Sequence, residues 1–208
     1  MSTPGAGGRR ADAVRNRQLA LEAATALLAD RGTPLTVEAI AKRAGLGMGT
    51  VVRAFGGKDA LLDAAVSGLL APVVHRGRDL LAASSPEQAL RAFLAELIAF
   101  QSAHHAIADQ VDGLDLPATS ALRTELERLV EDMVIGARAD GAIRTDLEPA
   151  LLTTLIGQTA YAIARAQPVS PHLRESFITV FMDGLRPQPA VQAGRPTREG
   201  NRGGGLRR

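Results

Sequence analysis

The chain has 208 residues, 46% of them hydrophobic, and a formal net charge of +2, so it can form one or two globular domains with buried cores. The absence of cysteine excludes disulfide bonds, thiol nucleophiles and thiolate metal sites. Because no stretch approaches the roughly 20 apolar residues of a membrane-spanning helix, and residues 1–10 lack the apolar segment of a signal peptide, we expect a cytoplasmic protein.

The first ten residues are rich in Gly, Pro and Ser and end in Arg9 and Arg10, so we predict a flexible basic arm over residues 1–10. Apolar residues then recur at helical spacing over residues 11–31, which predicts the first helix. Gly32 is placed to end that helix, because glycine readily adopts the left-handed conformation common after a helix.

Two short helices joined by a glycine-containing turn are predicted next. The hydroxyl of Thr36 can cap the first of them, and Gly45 stops it after about two turns. After the turn a second short helix covers residues 48–55, and Gly56-Gly57 separates it from a longer one. Two short helices on either side of such a turn are typical of the helix-turn-helix motif.

The rest of the chain keeps a helical pattern, without strand alternation or an internal repeat. The fold is therefore predicted to be all-α. Prolines and glycines supply the breaks between helices. The predicted helices span residues 11–31, 36–44, 48–55, 58–82, 86–107, 117–140, 148–166 and 171–186. From residue 187 onward Pro, Gly and Arg dominate, which predicts a disordered basic tail over 187–208.

The charge is unevenly distributed along the chain. Residues 1–60 carry nine Lys/Arg against five Asp/Glu, and residues 187–208 carry five against one. Residues 61–186 between them are acidic, with ten Lys/Arg against sixteen Asp/Glu. A basic head on an acidic body suits a protein that presents one face to a polyanion.

Nine short elements follow one another between residues 14 and 66 with almost no gaps. They are Ala23-Ala24, Gly32, Thr36-Val37, Ile40-Ala41, Ala44-Gly45, Gly49-Thr50, Phe55, Lys58-Asp59 and Leu61-Leu62. Together they resemble the DNA-binding domain of the TetR/AcrR family of transcriptional regulators. Each pair alone is a weak signal, but their ordered co-occurrence over about 50 residues is specific.

The resemblance implies an N-terminal three-helix helix-turn-helix domain over residues 11–67 and a C-terminal helical effector-binding and dimerisation domain over residues 68–186. It also implies a homodimer that binds a palindromic double-stranded DNA operator and acts as a repressor released by a small-molecule effector. No cofactor, metal, membrane partner or catalytic activity is expected. The DNA contacts that it implies are Thr36, Gly47, Met48, Thr50, Val51, Arg53 and Lys58, with Val51 placed to meet a thymine methyl group.

Two positions depart from the family's usual residues. Val52 stands where members commonly carry tyrosine, and Ala54 stands where they carry histidine or another polar aromatic. Neither replacement can donate a hydrogen bond to a phosphate, so we expect weaker anchoring to the DNA backbone unless Arg9, Arg10 and Arg53 compensate.

The second half of the chain is expected, from the resemblance, to enclose the effector pocket. Polar residues set among apolar helical faces are the candidates for it: Gln101, His104, His105, Gln158, Tyr161 and Arg165. An aromatic content of 3% favours a small apolar effector over a stacked planar one. His104 and His105 point about 100° apart on a helix, and His105 with Asp109 makes only two ligands, so we predict no metal site.

The last two helices carry the candidate dimer interface. Its residues are Leu151, Leu155, Thr159, Phe177 and Phe181, which lie at helical spacing on two apolar stripes. A dimer would hold two recognition helices about one DNA turn apart. The open alternative is that both stripes face only the core of their own domain.

Two other classes of function remain open from the residues alone. An architectural DNA-binding protein would bind without sequence preference or effector. An enzyme with a helical fold would need a catalytic set, and we find no phosphate-binding glycine loop, nucleophile elbow or paired carboxylates.

Overall fold

The computed structural model describes residues 6–30, 35–111, 113–166 and 170–187. These residues form eight α-helices and no strand, as predicted for an all-α chain. In chain order the helices are α1 (Ala6–Leu28), α2 (Val37–Ala44), α3 (Met48–Phe55), α4 (Lys58–Ala83), α5 (Pro86–Val111), α6 (Pro117–Ala139), α7 (Pro149–Arg165) and α8 (Pro171–Leu185). No helix within these ranges is both long enough and apolar enough to cross a membrane.

The start of α1 differs from the sequence prediction. The helix begins at Ala6, so residues 6–10, predicted as part of a flexible arm, form its first turns. Gly7 and Gly8 are poor helix formers, but residues 6–10 extend a helix whose later turns are anchored in a core. Residues 1–5, Gly32 and the predicted tail from residue 188 onward lie outside the described residues.

An N-terminal core joins α1, α2 and α3 to the first half of α4. Ala20, Ala24 and Leu28 recur every four residues along α1 and are fully buried, and the small alanines allow the neighbouring helices to approach closely. The end of α5 packs onto the same core through Ile107 and Val111. Gln110 of α5 also donates a hydrogen bond to the carbonyl of Leu28, at 2.9 Å.

A C-terminal core is formed mainly by α5, α6, α7 and α8. Its largest fully buried side chains include Phe93, Leu94, Met133 and Ile156. Leu80 and Leu81, near the end of α4, pack against it. Helix α4 therefore crosses the boundary predicted between residues 67 and 68, and it contributes to both cores.

A buried carboxylate fastens α4 to α6. Asp63 of α4 is 7% exposed and accepts hydrogen bonds from the backbone N–H groups of Ala118 and Thr119, at 2.9 and 2.8 Å. The hydroxyl of Thr119 donates a third bond to the same carboxylate at 2.8 Å. Asp63 thus caps the first turn of α6 from a different helix, where the free N–H groups and the helix dipole favour a negative charge.

Candidate functional site

The helix-turn-helix is formed by α2, the turn from Gly45 to Gly47, and α3. The hydroxyl of Thr36 accepts from the backbone N–H of Ala39 at 3.1 Å, which confirms Thr36 as the cap of α2. Gly45 ends α2 with φ of 66°, a left-handed conformation that glycine adopts without strain. Thr36 remains exposed on the surface of the N-terminal domain.

The outer face of α3 differs from the predicted one at a single position. Met48 is 56% exposed and Val52 is 43% exposed, whereas Val51 is 1% exposed and packs in the N-terminal core. The prediction that Val51 lies near the bases is therefore wrong, because that face of α3 packs against α1 and α4. Val52 is the exposed valine of α3.

Arg53 and Thr50 lie side by side on α3. The guanidinium of Arg53 donates to the hydroxyl of Thr50 at 3.5 Å, and it lies beside Gly49. Arg53 is exposed, as are Gly47 and Lys58, the first residue of α4. The structure thus places six of the seven predicted DNA-contact residues at the surface, with Thr50 half-buried among them.

Arg17 of α1 holds the end of α3 in place, a role that no local pattern of residues indicates. Its guanidinium donates to the carbonyl of Ala54 at 2.6 Å and lies 4.1 Å above the ring of Phe55. A charge-assisted bond and a cation–π contact therefore fix α3 to α1. The small side chain of Ala54 lies half-buried beside this contact.

A cavity of about 520 Å³ lies between α4, α5, α6 and α7. Its walls are mainly apolar, and α4 contributes Val66, Leu69 and Leu70 to them. Five of the six predicted pocket residues line it: Gln101, His104, His105, Gln158 and Tyr161. Arg165 does not line the cavity, but it donates to the hydroxyl of Tyr161 at 2.9 Å.

Four lining residues that sequence reasoning missed are polar: Thr119, Arg123, Glu127 and Thr153. Arg123 and Glu127 are exposed, whereas Thr119 is buried and Thr153 half-buried. All are on α6 or α7, and nothing in the local sequence distinguishes them from surface residues. Only the packing of these helices brings them to the cavity.

The candidate dimer residues fall into two groups. Leu151 and Leu155 of α7 are 48% and 43% exposed, and Thr159 beside them is half-buried. The rings of Phe177 and Phe181 on α8 contact each other in a tilted arrangement, with centroids 5.6 Å apart, and both residues pack partly against the C-terminal core. Val180 of α8, which was not among the predicted residues, is 72% exposed.

Comparison with known proteins agrees with this architecture. Residues 20–65 match the bacterial regulatory proteins of the tetR family, and residues 85–187 match the C-terminal domain of SbtR-like transcriptional regulators. A TetR transcription regulatory protein from Mycobacterium vanbaalenii is 31% identical, with 85% of this chain and 98% of that chain covered and a TM-score of 0.59. The chain belongs to the TetR family. It is a DNA-binding transcriptional regulator.

Other members of the TetR family are also similar over most of their length. The transcriptional regulator SCO0520 from Streptomyces coelicolor is 28% identical, covering 83% of this chain and 99% of that one, with a TM-score of 0.60. The HTH-type transcriptional repressor KstR2 from Rhodococcus jostii is 26% identical over 201 residues, which are 88% of this chain and 94% of that protein. The resemblance seen in residues 14–66 therefore extends through both parts of the regulator.

Proposed function

We propose that this TetR-family chain is a repressor that binds a palindromic operator as a homodimer and releases it when a small molecule fills the cavity. The observation that carries the proposal is the double role of α4. Its residues Leu61 and Leu62 are fully buried in the N-terminal core, and one turn later Val66, Leu69 and Leu70 line the cavity.

A ligand in the cavity would act on DNA binding through this shared helix. Because α1, α2 and α3 pack on the first half of α4, a displacement of α4 moves the recognition helix α3 with it. A ligand that binds a displaced state more tightly shifts the population toward that state. Two recognition helices then no longer match half-sites one DNA turn apart, and affinity for the operator falls.

The exposed apolar face of α7 and α8 supports the homodimer. Leu151, Leu155 and Val180 are each more than 40% exposed although they are large and apolar. Association of two copies through this face would remove these side chains from water and place two recognition helices on one side of the assembly. Similarity to the repressor KstR2 favours repression over activation.

A reporter gene tests the proposal directly. Its promoter overlaps a DNA sequence selected by the purified protein, and the chain is expressed in the same cells. Lower reporter output with the chain than without it, and recovery on addition of a small molecule that binds the purified protein, is the expected result. Higher output would identify an activator, and output that no bound small molecule changes would contradict release by an effector.

A further inference from the structure

Two buried polar atoms in the cavity have no hydrogen-bond partner among the described residues. They are Oε1 of Gln101 on α5 and Oγ1 of Thr153 on α7, and both residues line the cavity. A buried polar atom without a partner is costly, and such atoms are rare in folded proteins. At a cavity wall they indicate where a bound molecule supplies the missing hydrogen bonds.

Thr153 differs from the other two threonines of its helix. Thr154 donates its hydroxyl proton to the carbonyl of Ala150 at 2.9 Å, and Thr159 donates to that of Leu155 at 2.6 Å. A bond of this kind, to the carbonyl four residues earlier, is the usual way a hydroxyl within a helix is satisfied. The hydroxyl of Thr153 makes no such bond, so both its proton and its lone pairs lack a partner in the part of the chain that the structure describes.

The two histidines of the cavity present acceptors in their neutral form. Nδ1 of His104 lies 2.9 Å from the carbonyl of Phe100, and Nδ1 of His105 lies 2.9 Å from that of Ser102. Because a carbonyl oxygen only accepts, each Nδ1 carries the hydrogen, and Nε2 of each neutral ring is an acceptor.

Among the described residues, the charged side chains that line the cavity are those of Arg123 and Glu127. Both residues are exposed to solvent. A ligand carboxylate placed at Gln101 would meet an acceptor oxygen rather than a buried cation, and the single hydroxyl donor of Thr153 would not replace its lost hydration. The interior therefore favours a neutral ligand with a proton to donate.

We propose that the cavity binds a neutral, largely apolar molecule that carries a hydroxyl group. The hydroxyl donates a hydrogen bond to Oε1 of Gln101 and accepts one from the hydroxyl of Thr153, and the apolar part packs against Leu69, Leu97 and Phe100. A cavity of about 520 Å³ lies within the range that holds drug-sized ligands. This inference rests on the proposed function only in taking the cavity as the effector site.

Three probes with the same alkyl chain test the chemistry: 1-decanol, decyl methyl ether and decanoic acid. Binding to the full chain is measured by calorimetry and by the shift in Tm. We expect 1-decanol to bind about tenfold more tightly than the ether, which cannot donate a hydrogen bond, and more tightly than the acid at neutral pH; tenfold corresponds to one good hydrogen bond.

Variants of Gln101 and Thr153 test the same inference from the protein's side. Thr153→Val keeps the side-chain shape and removes the hydroxyl, so it should raise the Tm of the free protein and remove most of the preference for the alcohol. Gln101→Leu should do the same. Thr154→Val is the matched control, because Thr154 is exposed and bonded to its own helix, and the preference should be unchanged in it.

Four outcomes would overturn the inference. The acid could bind more tightly than the alcohol, the alcohol and the ether could bind equally, or no probe could bind. The fourth is a preference for the alcohol that is unchanged in Thr153→Val and Gln101→Leu. The DNA readout is separate. If 1-decanol binds as expected but does not release selected DNA in a fluorescence anisotropy assay, the ligand chemistry stands and the proposed release mechanism fails.

Discussion

Val51 and Val52 are neighbours in α3 with opposite surroundings. Val51 packs in the N-terminal core, whereas 43% of Val52 is exposed on the outer face of the helix. The sequence did contain a signal for this difference. Phe55, expected in the core, lies four residues after Val51, and residues four apart share a face of a helix. The face of α3 that carries Val51 and Phe55 therefore packs against the core, and Val51 is not on the outer face of the helix.

The same truncation at these two valines should have different effects. Val51→Ala removes two buried methyl groups and should lower the free energy of unfolding by about 2 kcal/mol. Val52→Ala should change it by less than about 0.5 kcal/mol and instead weaken the base preference at one operator position. Urea unfolding and operator selection measure the two effects. Equal destabilisation by both substitutions would show that Val51 is not the valine of α3 that packs in the core.

The carboxylate of Asp63 should make stability depend on pH. Burial raises the pKa of Asp63, but the hydrogen bonds from Ala118 and Thr119 outweigh it, so the pKa lies below its ordinary 3.8. A lowered pKa means that the ionised carboxylate stabilises the fold above about pH 4, and that this contribution is lost as pH falls through the folded-state pKa.

Asp63→Asn should therefore lower the free energy of unfolding by about 2 kcal/mol at pH 7, because charged hydrogen bonds to the start of α6 are lost. The difference from the unchanged protein should shrink as pH falls below about 4. Asp79→Asn is the control, since Asp79 is exposed on the same helix. A pH-independent difference at Asp63 would contradict an ionised cap.

Residues such as Asp63 and Arg17 could not have been assigned from the sequence. Asp63 bonds to residues 55 and 56 positions away, and Arg17 bonds to a carbonyl 37 positions away. A pattern of spacing within one helix carries no information on such partners. Five of the candidate pocket residues nevertheless line the cavity. They were chosen because polar groups at helical spacing among apolar ones mark a face that meets other helices.

At the scale of the helices, glycines, prolines and caps predicted most boundaries. Gly45 and Gly56 adopt left-handed conformations with φ of 66° and 84°, and Pro86, Pro117 and Pro171 open their helices. The start of α1 was missed, because a Gly- and Arg-containing segment has no apolar face to reveal its helix. Such a segment becomes helical through continuity with turns that are already packed.

The crossing of α4 with α5 and α6 depends on Gly77. A side chain at this position would clash with Leu129 of α6 and come within 2.8 Å of the ring of Phe93 on α5. Gly77→Ala should therefore lower the free energy of unfolding by about 1–3 kcal/mol, despite the better helix propensity of alanine.

Gly68→Ala on the same helix is the matched control for this prediction. Gly68 is exposed with open space around it, so alanine there should stabilise the protein by up to about 1 kcal/mol. Urea unfolding of both variants measures the contrast. Stabilisation by Gly77→Ala would show that the helices are not in close contact at this crossing.

At the scale of the whole molecule, the proposed repressor requires that a ligand in the cavity changes how the N-terminal domain binds DNA. Gly157 lines the cavity and has open space where a side chain would begin. Gly157→Leu should occupy part of the cavity, keep operator affinity within about threefold, and remove the response to any ligand that releases the unchanged protein.

Gly68→Leu serves as the control for Gly157→Leu, because it adds the same side chain to an exposed helical position. Its response to the ligand should be normal. Fluorescence anisotropy of labelled operator, titrated with the ligand, measures both variants. If Gly157→Leu releases the operator at the same ligand concentration as the unchanged protein, then the cavity does not control DNA binding.

The most direct test of the central claim is selection of bound sequences from random duplex DNA at near-physiological salt. The chain should recover a palindrome with half-sites about one helical turn apart. Arg53→Ala should weaken the enrichment, whereas Arg128→Ala, exposed on α6, should leave it unchanged. Recovery of no motif, or of a motif that Arg53→Ala does not weaken, would contradict operator recognition by α3.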